Sequence, residues 1–316
     1  MSSTDAATRQ AATLPTAPRT RRWRAPGGTR PAPVHYALLA PAQMLLVGLI
    51  LLPAIYVAWM SLQKVSFGAD PVFVGLANYR ALIADTVFWR AAWNTFLVVN
   101  AVVYGELLLG LGLALLVSGW MPFRRVIIAL LIAPYAINEV SAVAMWRFVL
   151  EPDIGMVSWA LVQIGIGQLD WSADPTDALA LAALLSIWMH TPFTFLILYA
   201  ALQGVPKDVR EAATVDGANA WQEFRHVILP FILPALLVAL MFRYITAMRI
   251  FAEVWLLTEG GPARMTEVLA VYLYRAAFRY HDFGLAAATA FAMVLLSLAV
   301  AGPYLYAAWV KMFRHA

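Results

Sequence analysis

The chain of 316 residues contains no cysteine. That excludes a disulfide framework, a thiolate nucleophile, a zinc–cysteine site and an iron–sulfur cluster. Charge is also scarce, at 13% Asp, Glu, Lys and Arg, where a soluble domain carries roughly 25%. Histidine is sparse and scattered at His35, His190, His226, His281 and His315, with no HExxH spacing to hold a catalytic metal. No GxxxxGK[ST] loop occurs, so the chain has no means of its own to hydrolyse a nucleoside triphosphate. What it has in abundance is apolar side chains, at 62% with a mean hydropathy of +0.73. Too little polar surface remains to wet a globule, so the apolar residues face lipid.

Six stretches reach the ~20 apolar residues that a membrane-crossing helix needs: 37–61, 94–118, 126–146, 178–201, 231–255 and 285–310. The fold class expected is all-α, a polytopic membrane protein with six transmembrane helices. Pro41, Pro53, Pro134, Pro192, Pro234 and Pro303 fall inside these runs, which is tolerated where neighbouring helices or water satisfy the freed carbonyl. Residues 1–35 hold six arginines against Asp5 and no apolar period, and read as a disordered basic tail. Arg21 and Arg22 resemble a twin-arginine signal, but the apolar run after them is too long and leads into further spans.

The net charge of +4 is a topology signal and does not imply nucleic acid. Alternate connections on the side of the N-terminal tail carry 13 Lys and Arg, and those on the other side carry six. The segment 151–177 has no basic residue and five acids: Glu151, Asp153, Asp170, Asp174 and Asp177. By the positive-inside bias both termini are cytoplasmic. The expected organisation is a tail at 1–35, a first helix and outer loop at 36–90, a permease core at 91–310 and a cytoplasmic C-terminus at 311–316.

The longest cytoplasmic loop, 204–230, reads as two short helices. The first runs from about Pro206 to Val215, with Val205, Val209, Ala212 and Ala213 on one face. Gly217 supplies the positive φ of a tight reversal. Asn219 and Gln222 have capping-box spacing, Trp221, Phe224 and Ile228 follow at helical spacing, and Pro230 closes the element. The run Glu211, Ala212, Ala213, three residues, Gly217, nine residues, then Val227, Ile228, Leu229, Pro230 resembles the EAA loop of permease subunits of ABC importers. The segments 73–95 and 256–268 are similar to the outer loops of maltose-type permeases of the F kind, with Glu259 where many relatives have glycine. The resemblance covers the chain from about residue 36. It implies that Glu211, Ala212, Ala213, Asp216 and Gly217 dock on a separate ATPase. It further implies a second permease subunit, a homodimeric ATPase carrying the ATP and magnesium, and a periplasmic or lipid-anchored solute-binding protein, all at a bacterial inner membrane. It implies no cofactor on this chain itself.

Four ionisable residues fall near mid-bilayer by helical rise: Glu106, Glu139, His190 and Arg243. A charge at that depth costs roughly 2.5–3.5 kcal/mol and normally faces a bundle interior or a wet cavity. Two readings stand side by side. Either a glutamate pairs with Arg243 and His190 bonds between helices, locking the bundle, or the layer lines the translocation path. Matched to maltose-type permeases, the positions whose counterparts contact sugar are Ser186, Met189, His190, Phe193, Arg243, Ala247 and Ile250. The implied cargo is a di- or oligosaccharide or polyol, with glycerol phosphate as an alternative because Arg243 could fork to an anion. A secondary carrier with Glu106 and Glu139 as proton sites is the different-class alternative. Arg249 and Glu253, four apart, read as an intrahelical ion pair.

Overall fold

The computed structural model describes residues 33–119, 121–165 and 170–313. The basic tail expected at 1–35 lies almost wholly outside them, as does the end of the chain from 314. The described chain is helical apart from one two-stranded hairpin: α1 (Pro33–Leu46), α2 (Leu52–Ser61), β1 (Gln63–Lys64), β2 (Val72–Phe73), α3 (Ala77–Ala84), α4 (Thr86–Ser118), α5 (Arg124–Ile132), α6 (Glu139–Val149), α7 (Met156–Gln163), α8 (Pro175–Gln203), α9 (Lys207–Val215), α10 (Ala220–Glu223), α11 (Leu229–Ala247), α12 (Ala252–Thr258), α13 (Leu269–Tyr274) and α14 (Phe283–Phe313). Five helical runs among the described residues are long and apolar enough to cross a membrane, and a sixth is added if the bent pair α5–α6 counts as one span. The chain is therefore an all-α polytopic membrane protein. It divides at Ala54/Ile55, and the smaller unit consists, among its described residues, of helix alone.

Within the larger unit α4 and α8 pack against each other along most of their length. Glycine allows the approach: a Cβ on Gly110 would stand 3.0 Å from the Phe195 backbone nitrogen and 3.1 Å from Thr194 Cγ2. Small residues at such crossings are how helices associate where lipid offers no hydrophobic drive. Around this pair, Val99, Val102 and Val103 of α4, Leu181, Leu185 and Met189 of α8, and Leu240 and Tyr244 of α11 form the main core. A second cluster, Val117, Leu198, Leu202, Val205, Ile228 and Ile232, closes the end of the bundle next to α9 and α10.

At the opposite end of α4, the helix and the segment leading into α13 interlock. Asn94 Nδ2 donates to the carbonyls of Met265 (2.7 Å) and Glu267 (2.9 Å), and Thr95 Oγ1 accepts from Leu269 N–H at 2.8 Å. The two segments resembling maltose-type loops are thus one structural unit. Glu259 holds a left-handed φ of 53°, a conformation glycine takes more easily. Orphaning a buried carbonyl costs about 1–3 kcal/mol. Asn94→Leu is therefore expected to lower the melting temperature of the detergent-solubilised protein, and an unchanged value would contradict this role.

Three expectations from the sequence need correction. The run 126–146 is not one straight helix: α5 passes through a 3₁₀ turn at Ala133–Ala136 and re-enters as α6 at 97°. Pro134 sits in that turn, and Asn138 restarts the chain by capping Val140 N (3.0 Å) and Ser141 N (3.3 Å). Nor is 231–255 continuous, since α11 ends at Ala247 and α12 starts at Ala252 after Phe251 leaves helical geometry (φ −139°, ψ −56°). Pro230 closes nothing. A π-helical turn over Phe224–Ile228, with Leu229 N–H bonded to the Phe224 carbonyl, carries the helix through to Ala247 with Pro230 in the first turn of α11.

Asp174 caps α8 through bonds from the Thr176 and Asp177 backbone N–H groups, and these bonds hold its carboxyl below the ordinary aspartate range. A depressed folded-state value means the contribution is present above the unfolded value, near 3.9, and is lost as pH falls through the folded one. Protection of the first-turn amides of α8, taken relative to the intrinsic exchange rate at each pH, should fall as Asp174 is protonated on acidification, and Asp174→Ala should remove that pH dependence.

Candidate functional site

The breaks in the third and fifth runs have a common consequence. The start of α6 and the start of α12 are brought to the middle of α8 and the end of α11, where polar side chains gather around a cavity of about 410 Å³. Tyr135, Glu139, Ser186, His190, Arg243, Thr246, Ala247, Arg249, Ile250 and Glu253 line it. A larger cavity of about 730 Å³ between α11, α13 and α14 is walled mainly by Met248, Leu273, Met293 and similar apolar side chains, and offers little for recognition.

Arg243 and Glu106 settle which glutamate pairs with the arginine. Arg243 Nε and Nη2 fork onto the two Glu106 carboxylate oxygens, the second at 2.6 Å, and Glu106 is 0% exposed. The pair joins α4 to α11. Arg243 Nη1 points the other way, donating to Thr246 Oγ1 at 2.9 Å on the cavity wall. One side chain thus serves packing on one edge and borders the cavity on the other. His190 does not bond between helices: its Nδ1 lies 3.0 Å from the Ser186 carbonyl within α8. Because a carbonyl can only accept, Nδ1 carries the hydrogen in this contact, which leaves Nε2 as the acceptor in the neutral tautomer.

Five of the seven positions matched to sugar contacts, Ser186, His190, Arg243, Ala247 and Ile250, border this one cavity. Met189 is packed in the main core instead. Phe193 lies in an aromatic strip beside the cavity, 6.1 Å from Tyr135 and 5.4 Å from Phe242 between ring centroids. Glu139 lies on the wall, whereas Glu106 is sealed behind Arg243. Sequence reasoning missed Tyr135, Thr246, Arg249 and Glu253. Arg249 and Glu253 form no ion pair with each other among the described residues, because the break after Ala247 puts them on different elements. Their signal was only that two charges stood near the end of an apolar run.

At the α9 end, the EAA-like segment forms a compact knob. Arg210 Nε donates to Glu223 Oε1 at 2.7 Å, clamping α9 to α10. Asn219 and Gln222 form the reciprocal capping box at 2.9 Å each way. Gly217 turns the chain between the helices at φ 79°. Glu211, Ala212 and Asp216 are exposed and Ala213 half-buried, Val215 is 87% exposed, and Glu211 makes no ion pair or side-chain hydrogen bond among the described residues.

Lipid-spanning helices around a small polar cavity, with a rigid two-helix knob at one end, define a membrane transport subunit. The family described as "Binding-protein-dependent transport system inner membrane component" matches residues 106–306, and the chain belongs to it. It is 36% identical over 274 residues to the sulfoquinovosyl glycerol transport system permease protein SmoG of Agrobacterium fabrum, spanning 85% of this chain and 88% of that one. It is 32% identical to the trehalose/maltose transport system permease protein MalF of Thermococcus litoralis over 81% of this chain and 85% of that one. The inner membrane ABC transporter permease protein YcjO of Escherichia coli is 33% identical, over 86% and 93%. Among solved structures, a bacterial ABC transporter involved in import of the acidic polysaccharide alginate shares the fold, with TM-score 0.73 and 22% identity over 87% of this chain and 94% of that one. The chain is thus a permease subunit of an ABC importer, from a family of non-catalytic membrane components. Among its described residues no group of three or more His, Cys, Asp or Glu is placed to hold a metal ion.

Proposed function

We propose that this permease translocates a di- or oligosaccharide or a related polyol across a bacterial inner membrane, with both termini in the cytoplasm. A second permease subunit would complete the path. A homodimeric ATPase, holding ATP and magnesium, would dock on Glu211, Ala212, Ala213, Asp216 and Gly217, and a periplasmic or lipid-anchored binding protein would deliver the cargo. The observation that carries the reading is the cavity that gathers Ser186, His190, Arg243, Ala247 and Ile250 beside the Tyr135–Phe193 aromatic strip. Hydroxyls of a sugar can both donate to His190 Nε2 and accept from Arg243, while an aromatic face suits the apolar side of a pyranose ring.

The permeases named for sulfoquinovosyl glycerol and for trehalose and maltose favour a glycoside over glycerol phosphate. So does the Arg243 charge, which Glu106 already offsets. Glu106 is sealed in that pair, which also leaves a proton-coupled carrier without the first of its two proton sites. The assembled complex in proteoliposomes, offered a panel of radiolabelled disaccharides and polyols, should import one of them only with ATP inside and regardless of a proton ionophore. Uptake that needs no ATP and collapses with the ionophore would overturn the assignment.

A further inference from the structure

The cavity contains two carboxylates that neither packing nor the ion pair with Arg243 explains. Glu253, at the start of α12, is 1% exposed, and its Oε2 finds no hydrogen-bond partner among the described residues. Ser186 and Glu139 are its polar neighbours, and Glu139 arrives from the start of α6 across the cavity wall. A buried carboxylate oxygen without a donor is costly, and a second carboxylate beside it adds repulsion that no ion pair among the described residues offsets. Arg243 is occupied by Glu106, and Arg249, exposed on the same wall, forms no ion pair with either acid among the described residues. His190 adds a third acceptor through Nε2. The two acids share their end of the wall with the Ser186 hydroxyl, while the Thr246 hydroxyl and the Arg249 guanidinium line other parts of it.

From this we infer that Glu139 and Glu253 form a specificity-determining subsite for the hydroxyl face of a sugar, and that their end of the wall disfavours an anionic group. A pair of vicinal hydroxyls supplies the donors that Glu253 Oε2 and Glu139 lack, each hydroxyl hydrogen bonding one carboxylate oxygen. A phosphate, sulfonate or carboxylate group placed at that end would meet the two carboxylates instead of donors. The inference rests on the sugar-permease reading but is tested separately from it, because local charge can be measured without knowing the cargo.

The absence of cysteine makes that measurement direct. Ser186→Cys places one thiol beside Glu253, and Thr246→Cys places one on the α11 side of the same cavity. In the assembled importer, labelling of this subunit by a cationic methanethiosulfonate (ethyltrimethylammonium) is compared with that by its anionic counterpart (ethylsulfonate). The ratio of cationic to anionic rates at Ser186→Cys should be at least fivefold higher with both acids present than after Glu139→Gln and Glu253→Gln together, with a smaller change at Thr246→Cys. Comparing the two backgrounds cancels the intrinsic reactivities of the reagents. An unchanged ratio, or failure of both reagents at both positions, would overturn the inference. Either result leaves the uptake assay free to support or reject the sugar reading itself.

Discussion

Replacing Glu106 by Ala is expected to destabilise the permease severely. The substitution leaves the Arg243 guanidinium buried with Thr246 as its remaining side-chain partner, and removing one member of a buried pair costs about 3–5 kcal/mol. Replacing both members by apolar residues of similar volume, Glu106→Leu with Arg243→Met, removes the desolvation penalty along with the attraction and should restore thermal stability in detergent to near the parent value. That rescue separates the two roles of the arginine. If Arg243 Nη1 also holds cargo, the stable double variant loses a charge-assisted hydrogen bond of about 1.5–3 kcal/mol, so half-saturating sugar should rise on the order of tenfold or more. A double variant that is stable and transports like the parent would leave Arg243 with the structural role alone.

The second large effect is expected at Gly217. Any side chain there must adopt φ 79°, a strain of about 1–2 kcal/mol, yet a Cβ would meet nothing within 4 Å in this chain. Gly217→Ala and Gly217→Trp therefore suffer the same backbone strain and differ only in what projects from the knob. In the reconstituted complex the Ala variant should retain most uptake. The Trp variant should lose at least tenfold in sugar moved per ATP hydrolysed, because the indole would stand between the knob and the ATPase. Equal coupling in both would remove Gly217 from the docking surface.

Local chemistry made much of this legible in the sequence. The capping box at Asn219 and Gln222, the reversal at Gly217 and the two α9–α10 helices follow from side chains that act on their own backbone neighbours, and the structure contains each of them. Apolar runs of sufficient length made the membrane class legible, because nothing else accommodates so little charge. The breaks were harder. Pro134 was visible, but five of the six runs contain proline, and α8 passes through Pro192 without interruption. The bend at 97° depends on Asn138 restarting a helix, which is a tertiary outcome. The break after Ala247 has neither proline nor glycine to announce it. Its consequence was the largest omission, since Arg249 and Glu253 looked like neighbours on one helix turn and instead border the cavity from separate elements. Depth along a helix located Glu106 and Arg243 in one layer, but only the packing of α4 against α11 decided that these two would pair and that Glu139 would remain on the wall.

The central claim is that sugar crosses beside α8 and the α11–α12 break while the α9–α10 knob receives the motion of an ATPase. A structure of the assembled importer with its transported sugar trapped inside tests both halves at once. The account predicts sugar hydroxyls within hydrogen-bonding distance of Ser186, His190 or Glu253, and Glu211 to Gly217 seated in a cleft of the ATPase. Sugar bound against other helices, or a knob standing free of the ATPase, would contradict it.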